Sequence, residues 1–215
     1  MTCRLYLLTP RLTLADAPEF APRFAEAVKA GAAASALVRL AAGSEGDAKR
    51  IAAPLVEIAV ANDCALLIEH DARLAPRIGA DGAHIAGVGP EFEAALQTLH
   101  PDRIVGVGAL RLRDEAMSAG ELGADYVMFG EPRRDDWTPP AEETLERVSW
   151  WADIFETPCV GYAATLEAAG ALAQAGADFV ALGDVIWQAP SAGEAAREAA
   201  RLIAAAGAAR TGGEK

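Results

Sequence analysis

The sequence predicts an α/β fold, a (β/α)8 TIM barrel in which eight parallel strands close into a cylinder inside a ring of helices. Three observations predict it. Eight apolar runs of strand length alternate with longer stretches of helical period along the whole chain. The tripeptide Gly-Ala-Asp opens an apolar run three times, at Gly79, Gly123 and Gly176. A chain of 215 residues suffices for one such barrel around a single core. Residues 1–207 are therefore expected to form one domain, with a frayed tail at 208–215.

The first strand is "RLYLLT" from Arg4, and "APEFAPRFAEAVKAG" at 17–31 follows it with apolar residues three and four apart. "ALVRLA" at 36–41 gives the second strand and "GDAKRIAAPLVEIAVAND" an alanine-rich helix after it. The third, fourth and fifth strands are "ALLIEH", "GAHIAG" and "RIVGVGA"; the sixth, seventh and eighth are "DYVMFG", "PCVGYA" and "DFVALGD". Before the seventh, "ERVSWWADIF" reads as a helix whose Trp150, Trp151 and Phe155 pack on the barrel or form a dimer contact.

Each Gly-Ala-Asp follows a helical stretch, where glycine accepts the left-handed conformation that ends a helix before the chain enters a strand. These joints lie at the N-terminal face, so Asp81, Asp125 and Asp178 read as stabilising groups. An open doubly wound sheet is the alternative fold. Its dinucleotide-binding form wants G-x-G-x-x-G after the first strand, and "LLTPRLTLAD" has none, while "GVGALR" at 106–111 lacks the third glycine.

Composition narrows the function. A net charge of −12 without a basic stripe opposes nucleic-acid binding. Hydrophobic residues make up 52 % of the chain, but no run approaches the roughly 20 apolar residues of a membrane span. Cys3, Cys64 and Cys159 form no C-x-x-C pair and read as small core residues, with neither a zinc site nor a disulfide. A soluble cytoplasmic protein with a small-molecule ligand is expected, and a homo-oligomer is left open.

From "LYLLTP" through "GADGAHIAG" and "GADYVMFGEP" to "GADFVALGDVI", the chain resembles the thiamine phosphate synthases and their relatives the thiazole tautomerases. The resemblance implies a TIM barrel working in thiamine biosynthesis, joining a pyrimidine diphosphate to a thiazole phosphate with loss of pyrophosphate and with magnesium as cofactor. It implies a basic second strand, of which Arg39 remains among Leu37, Val38, Leu40 and Ala41. Arg39 reads as a contact for an anionic ligand, or as a partner of Glu69 or Asp71, since an unpaired buried cation costs several kcal/mol. The resemblance places one magnesium ligand at His70, beside Glu69, and a second near Gly89, so the ligand set for magnesium is changed and no metal residue is assigned.

After the sixth strand the phosphate clamp is replaced by "EPRRDDWTPP", a charged loop holding Arg133, Arg134, Asp135 and Asp136. The seventh and eighth strand ends, implied to hold phosphate through the backbone, carry Gly161 with Ala163 and Gly183 with Asp184; Tyr162 adds a lid or stacking surface. A carboxylate aimed at a phosphate costs on the order of a kcal/mol or more. Either Asp184 turns away or the ligand is not a phosphate. His70, at a strand end, and His84 are the possible acid or base groups, since an imidazole's unperturbed pKa lies near neutrality, and His70 with the anion-contacting Arg39 is the catalytic assignment. His84 shares the inward face with Gly82 and Ala86, as a ligand contact or a hydrogen-bonded core histidine. His100 reads as a surface residue. The alternative functions are a tautomerase-like proton-transfer enzyme using His70 with Glu69 or Asp71, and a non-catalytic ligand-binding barrel.

Overall fold

The computed structural model describes residues 2–133 and 137–212, the last four as backbone only. Eight strands, β1 (Arg4–Leu12), β2 (Ser35–Leu40), β3 (Ala65–Glu69), β4 (Gly82–Ala86), β5 (Ile104–Gly108), β6 (Tyr126–Phe129), β7 (Cys159–Ala163) and β8 (Phe179–Leu182), pair in that order into a closed barrel. All neighbours run parallel, and β1 meets β8 from Arg4 opposite Phe179 to Leu7 opposite Leu182. Closure removes both sheet edges and decides between the barrel and the open sheet.

Helices α1 (Ala17–Gly31), α2 (Glu45–Val60), α3 (Leu74–Ile78), α4 (Pro90–Leu99), α5 (Arg113–Leu122), α6 (Ala141–Ile154), α7 (Leu166–Ala175), α8 (Asp184–Trp187) and α9 (Ala192–Gly212) follow the strands. Their apolar stripes explain the outer core: Phe24 of α1, Leu55 of α2, Phe92 of α4 and Trp151 of α6 pack on the outward side chains of the strands. The aromatic stripe of α6 thus packs on the barrel, with Trp151 1 % exposed. The tail expected to fray from 208 begins within α9, which continues to Gly212, and residues 213–215 lie outside the described residues. Cys3, Cys64 and Cys159 are buried in the core. Among the described residues, no helix is long and apolar enough to cross a membrane.

The three Gly-Ala-Asp joints precede β4, β6 and β8, so the repeat marks every second strand. Gly79, Gly123 and Gly176 have φ of 77°, 97° and 104° and cap α3, α5 and α7. Each Asp then clamps the preceding strand at two points. Its amide donates to Leu66, Val105 or Cys159 carbonyl oxygen at 2.8, 3.0 and 3.0 Å. Its Oδ2 accepts the amide of the same residue at 2.8, 2.7 and 2.9 Å for Asp81, Asp125 and Asp178 respectively. The aspartates therefore serve the second amide of β3 and of β5 and the first of β7. Removing one carboxylate strands a shielded N–H, so Asp178→Ala is expected to cost about 1–3 kcal/mol in urea unfolding. An unchanged midpoint would contradict the clamp.

Candidate functional site

Side chains alternate along each strand, and one face of every strand points into the cylinder. Tyr6, Leu8, Leu37, Leu67, Met128 and Val160 fill its floor and middle with Tyr126, Tyr162 and Ala181. One step further toward the C-terminal ends the inward face becomes polar. Arg39, Glu69, His70, His84 and Glu131 line a hollow of about 170 Å³ at the mouth, the end of such barrels where ligands bind.

Arg39 is 8 % exposed, with Nε donating to Thr9 carbonyl oxygen at 2.6 Å. Burial works against its charge and lowers its pKa, while Glu69 acts in the opposite sense. Glu69 forms its ion pair with Arg11, at 2.6 Å. Asp71 caps the start of α3, its Oδ1 accepting from the amides of Arg73 and Leu74 at 3.1 and 3.0 Å. Glu69 and Asp71, the ion-pair partners weighed for Arg39 in the sequence, are thus engaged elsewhere. Arg11 reaches the mouth because β1 runs on past the expected "RLYLLT" and shifts register between Leu8 and Arg11, so that Arg11 pairs with Arg39.

His70 follows β3 with φ of 66°, its Nε2 3.8 Å from Glu69 Oε1. His84 is the buried, hydrogen-bonded histidine that was one of the two readings of the sequence, and it also lines the hollow. It is 3 % exposed, and its Nδ1 shares a hydrogen bond with Tyr126 Oη at 2.8 Å. Tyr126 Oη in turn shares one with Tyr6 Oη at 3.0 Å. Burial, and secondarily His70, push the His84 imidazole down to about 3, so it stays neutral at pH 7.

Glu131 is the residue that sequence reasoning missed. It follows Gly130, whose φ of 89° turns the chain back over the mouth. Its Oε1 accepts the amide of Ala109, itself at φ 53°. Burial pushes its carboxyl up to about 7, against the pull of the Ala109 amide. The available signal was the acidic residue closing "GADYVMFGE", which matches the one closing "GADFVALGD".

Gly161 and Ala163 do not point into the hollow. A Cβ on Gly161 would meet Leu172 and Val148 at 3.0 and 3.1 Å, and Ala163 belongs to the core beneath the helices. The period of two that turns Val160 and Tyr162 inward turns these outward, leaving only backbone toward the rim. Gly183 precedes α8 beside Tyr162. Asp184 is exposed, accepts from Gln188 Nε2 at 3.2 Å, and contributes to the field at Tyr162 and Arg39. Arg133 stacks over Trp137, 4.4 Å from the ring centroid, while Arg134, Asp135 and Asp136 lie outside the described residues. His100 lies well away, its Nε2 2.9 Å from Asp125 Oδ2 at the opposite face.

The donors at the mouth do not fit magnesium. Such an ion wants several oxygens arranged around one point. Here Glu69 is held by Arg11, Glu131 by Ala109 and Asp71 by the start of α3. Gly89, at φ 169°, offers no side chain, and among the described residues no three His, Cys, Asp or Glu side chains are grouped to hold a metal.

Fold and mouth together define a (β/α)8 barrel with a charged hollow at its C-terminal rim. Residues 5–186 match the family model described as thiamine monophosphate synthase. The thiamine-phosphate synthase of Rhodospirillum centenum is 37 % identical over 197 residues, 90 % of this chain and 94 % of that protein. That of Erythrobacter litoralis is 34 % identical over 188 residues, 86 % of this chain and 88 % of the other. This chain belongs to the thiamine monophosphate synthase family. Among solved structures it superposes on a thiamine phosphate pyrophosphorylase from Pyrococcus furiosus with a TM-score of 0.79 at 20 % identity, covering 94 % of this chain and 96 % of that one. A 3-hexulose-6-phosphate synthase from Salmonella typhimurium gives 0.67 at 16 % identity over 93 % and 98 %. At these identities the structural likeness speaks for the fold.

Proposed function

We propose that this chain works in thiamine biosynthesis, taking a thiazole phosphate into the hollow and joining it to the pyrimidine of a pyrimidine diphosphate. In that reaction the ring nitrogen of the thiazole supplies the electron pair of the new C–N bond. The C–O bond to the diphosphate breaks, and pyrophosphate leaves with its electrons. One observation carries this reading: the thiamine monophosphate synthase family model matches residues 5–186, which takes in the end of every strand that builds the mouth. Arg39, Arg11 and Arg133 are the cations that would face the anions. No step is drawn through magnesium, because the donor set does not suit it.

Pyrophosphate release on mixing both substrates, measured with and without magnesium, tests the coupling. Release that requires both substrates supports it, and no release with either condition opposes it. Arg39→Met is expected to weaken thiazole phosphate binding about 10- to 100-fold by calorimetry, the loss of a charge-assisted hydrogen bond of about 1.5–3 kcal/mol. Equal affinity would remove Arg39 from the ligand site.

A second reading, proton transfer on a bound heterocycle without coupling, is favoured by a carboxyl that titrates close to neutrality in the hollow. Wash-in of solvent deuterium to thiazole phosphate, with no pyrimidine present, separates the two.

A further inference from the structure

Strand β4 and the loop after β6 bring an imidazole and a carboxyl, those of His84 and Glu131, to one point. A methyl group on Gly108, the last residue of β5, would strike both Glu131 Oε1 and His84 Nε2. The missing side chain is what lets carboxyl and imidazole converge over the end of β5. Glycine at 108 is thus a steric requirement of this arrangement, and Ala109, held at positive φ just beyond it, supplies the amide that fixes the carboxyl. Behind the imidazole stands the chain of Tyr126 and Tyr6 hydroxyls, buried in the barrel. In front lies the hollow, which Glu131 and His84 both line.

We propose that Glu131 is the acid–base group of the mouth, giving a proton to a heterocycle bound in the hollow and taking it back, with the His84–Tyr126–Tyr6 chain fixing the imidazole beside it. This rests on reading the hollow as the ligand site. The bookkeeping is closed: the carboxyl O–H bond breaks, a ring atom supplies the electron pair of the new bond to hydrogen, and the carboxylate left behind accepts a proton on return. No metal, oxidant or second reactant is needed.

The surroundings suit the task. At a pKa of about 7 both forms of the carboxyl are populated near neutrality, whereas His84, pushed to about 3, carries no charge there. Charged and titratable neighbours come from every side. Arg133 on its own loop favours the carboxylate, and Glu69 of β3 opposes it. Arg11 of β1, Arg39 of β2, His70 after β3 and Asp184 of α8 stand around the rim, with Tyr126 of β6 and Tyr162 of β7 in the core beneath it.

Carbon-13 NMR of glutamate-labelled protein tests the assignment. One carboxyl is expected to titrate near pH 7, to be missing in E131Q, and to shift its midpoint when thiazole phosphate is added in excess. A Glu131 that titrates in the ordinary carboxylate range, or whose midpoint the ligand leaves unmoved, overturns the proposal. In turnover, E131Q is expected to lose about 100- to 10,000-fold in kcat while KM moves little, with partial rescue by Glu131→Asp. If E131Q keeps the wild-type rate and pH profile, Glu131 is not the acid–base group and the coupling reading stands without it. If no coupling occurs but the ligand moves the Glu131 midpoint, the coupling reading falls and the assignment of Glu131 holds.

Discussion

Replacing Glu131 by Gln is expected to make stability climb with pH between about 4.5 and 6.5, and replacing His84 by Gln to make it fall over the same interval. The contributions of the two groups in the native protein nearly cancel there. The sign follows from counting protons. Glu131 has a folded pKa near 7 against 4.5 unfolded, so between these values the folded state holds the extra proton and rising pH weakens it. His84 has a folded pKa near 3 against 6.5 unfolded, so between these values the unfolded chain holds the extra proton and rising pH favours folding. Where the windows overlap, the folded protein keeps one proton on Glu131 and the unfolded chain keeps one on His84. Removing either partner exposes the other as a slope of about 1 kcal/mol per pH unit, somewhat under the full one-proton value. All other titrations are common to the three proteins, so the difference of each variant from wild type isolates the pair. Urea unfolding at a series of pH values measures it; three parallel curves would show that no proton is held this way.

Trp151→Ala is expected to destabilise the barrel by about 3–5 kcal/mol and to lower Tm by about 10 °C or more. Among the described residues the indole is the largest fully buried side chain. It stacks on Phe155 at 4.1 Å between centroids, meets Phe129 edge-on at 6.0 Å, and its Nε1 donates to Thr157 carbonyl oxygen at 2.7 Å. Truncation therefore opens a cavity under α6 and leaves a carbonyl unpaired as well. Trp137, 46 % exposed, is the control: its substitution by Ala is expected to move Tm by a degree or two at most. Equal losses at both positions in calorimetry would mean that α6 does not anchor on the barrel through Trp151.

The barrel was legible in the sequence because its signals are periodic and local. All eight strands lie where apolar runs stood, and α1 spans the residues its pattern marked, Ala17 to Gly31. The Gly-Ala-Asp joints were readable as helix ends, since a left-handed glycine declares itself before a strand. That each Asp clamps the strand before it was not readable, because the contact crosses a strand pair. The mouth was half legible. Arg39, Glu69, His70 and His84 stood at strand ends and do converge. Arg11 was hidden by a register shift after Leu8, which moves it to a face that simple alternation denies it. At Gly161 and Ala163 alternation turns the Cβ positions to the helices, so only their backbone could meet a ligand, the role expected of them. Glu131 was hidden because a loop brings it back, and the decisive feature, the missing side chain at Gly108, lies on another strand.

We propose that Arg39, His70, His84 and Glu131, which line the hollow, surround one ligand site at the mouth of the barrel. Soaking or co-crystallising the protein with thiazole phosphate and locating the ligand by diffraction tests it most directly. The heterocycle is predicted to sit in the hollow, with Glu131 and Arg39 within hydrogen-bond reach of it. Clear density for the ligand elsewhere on the molecule, with the hollow filled only by water, would contradict the claim.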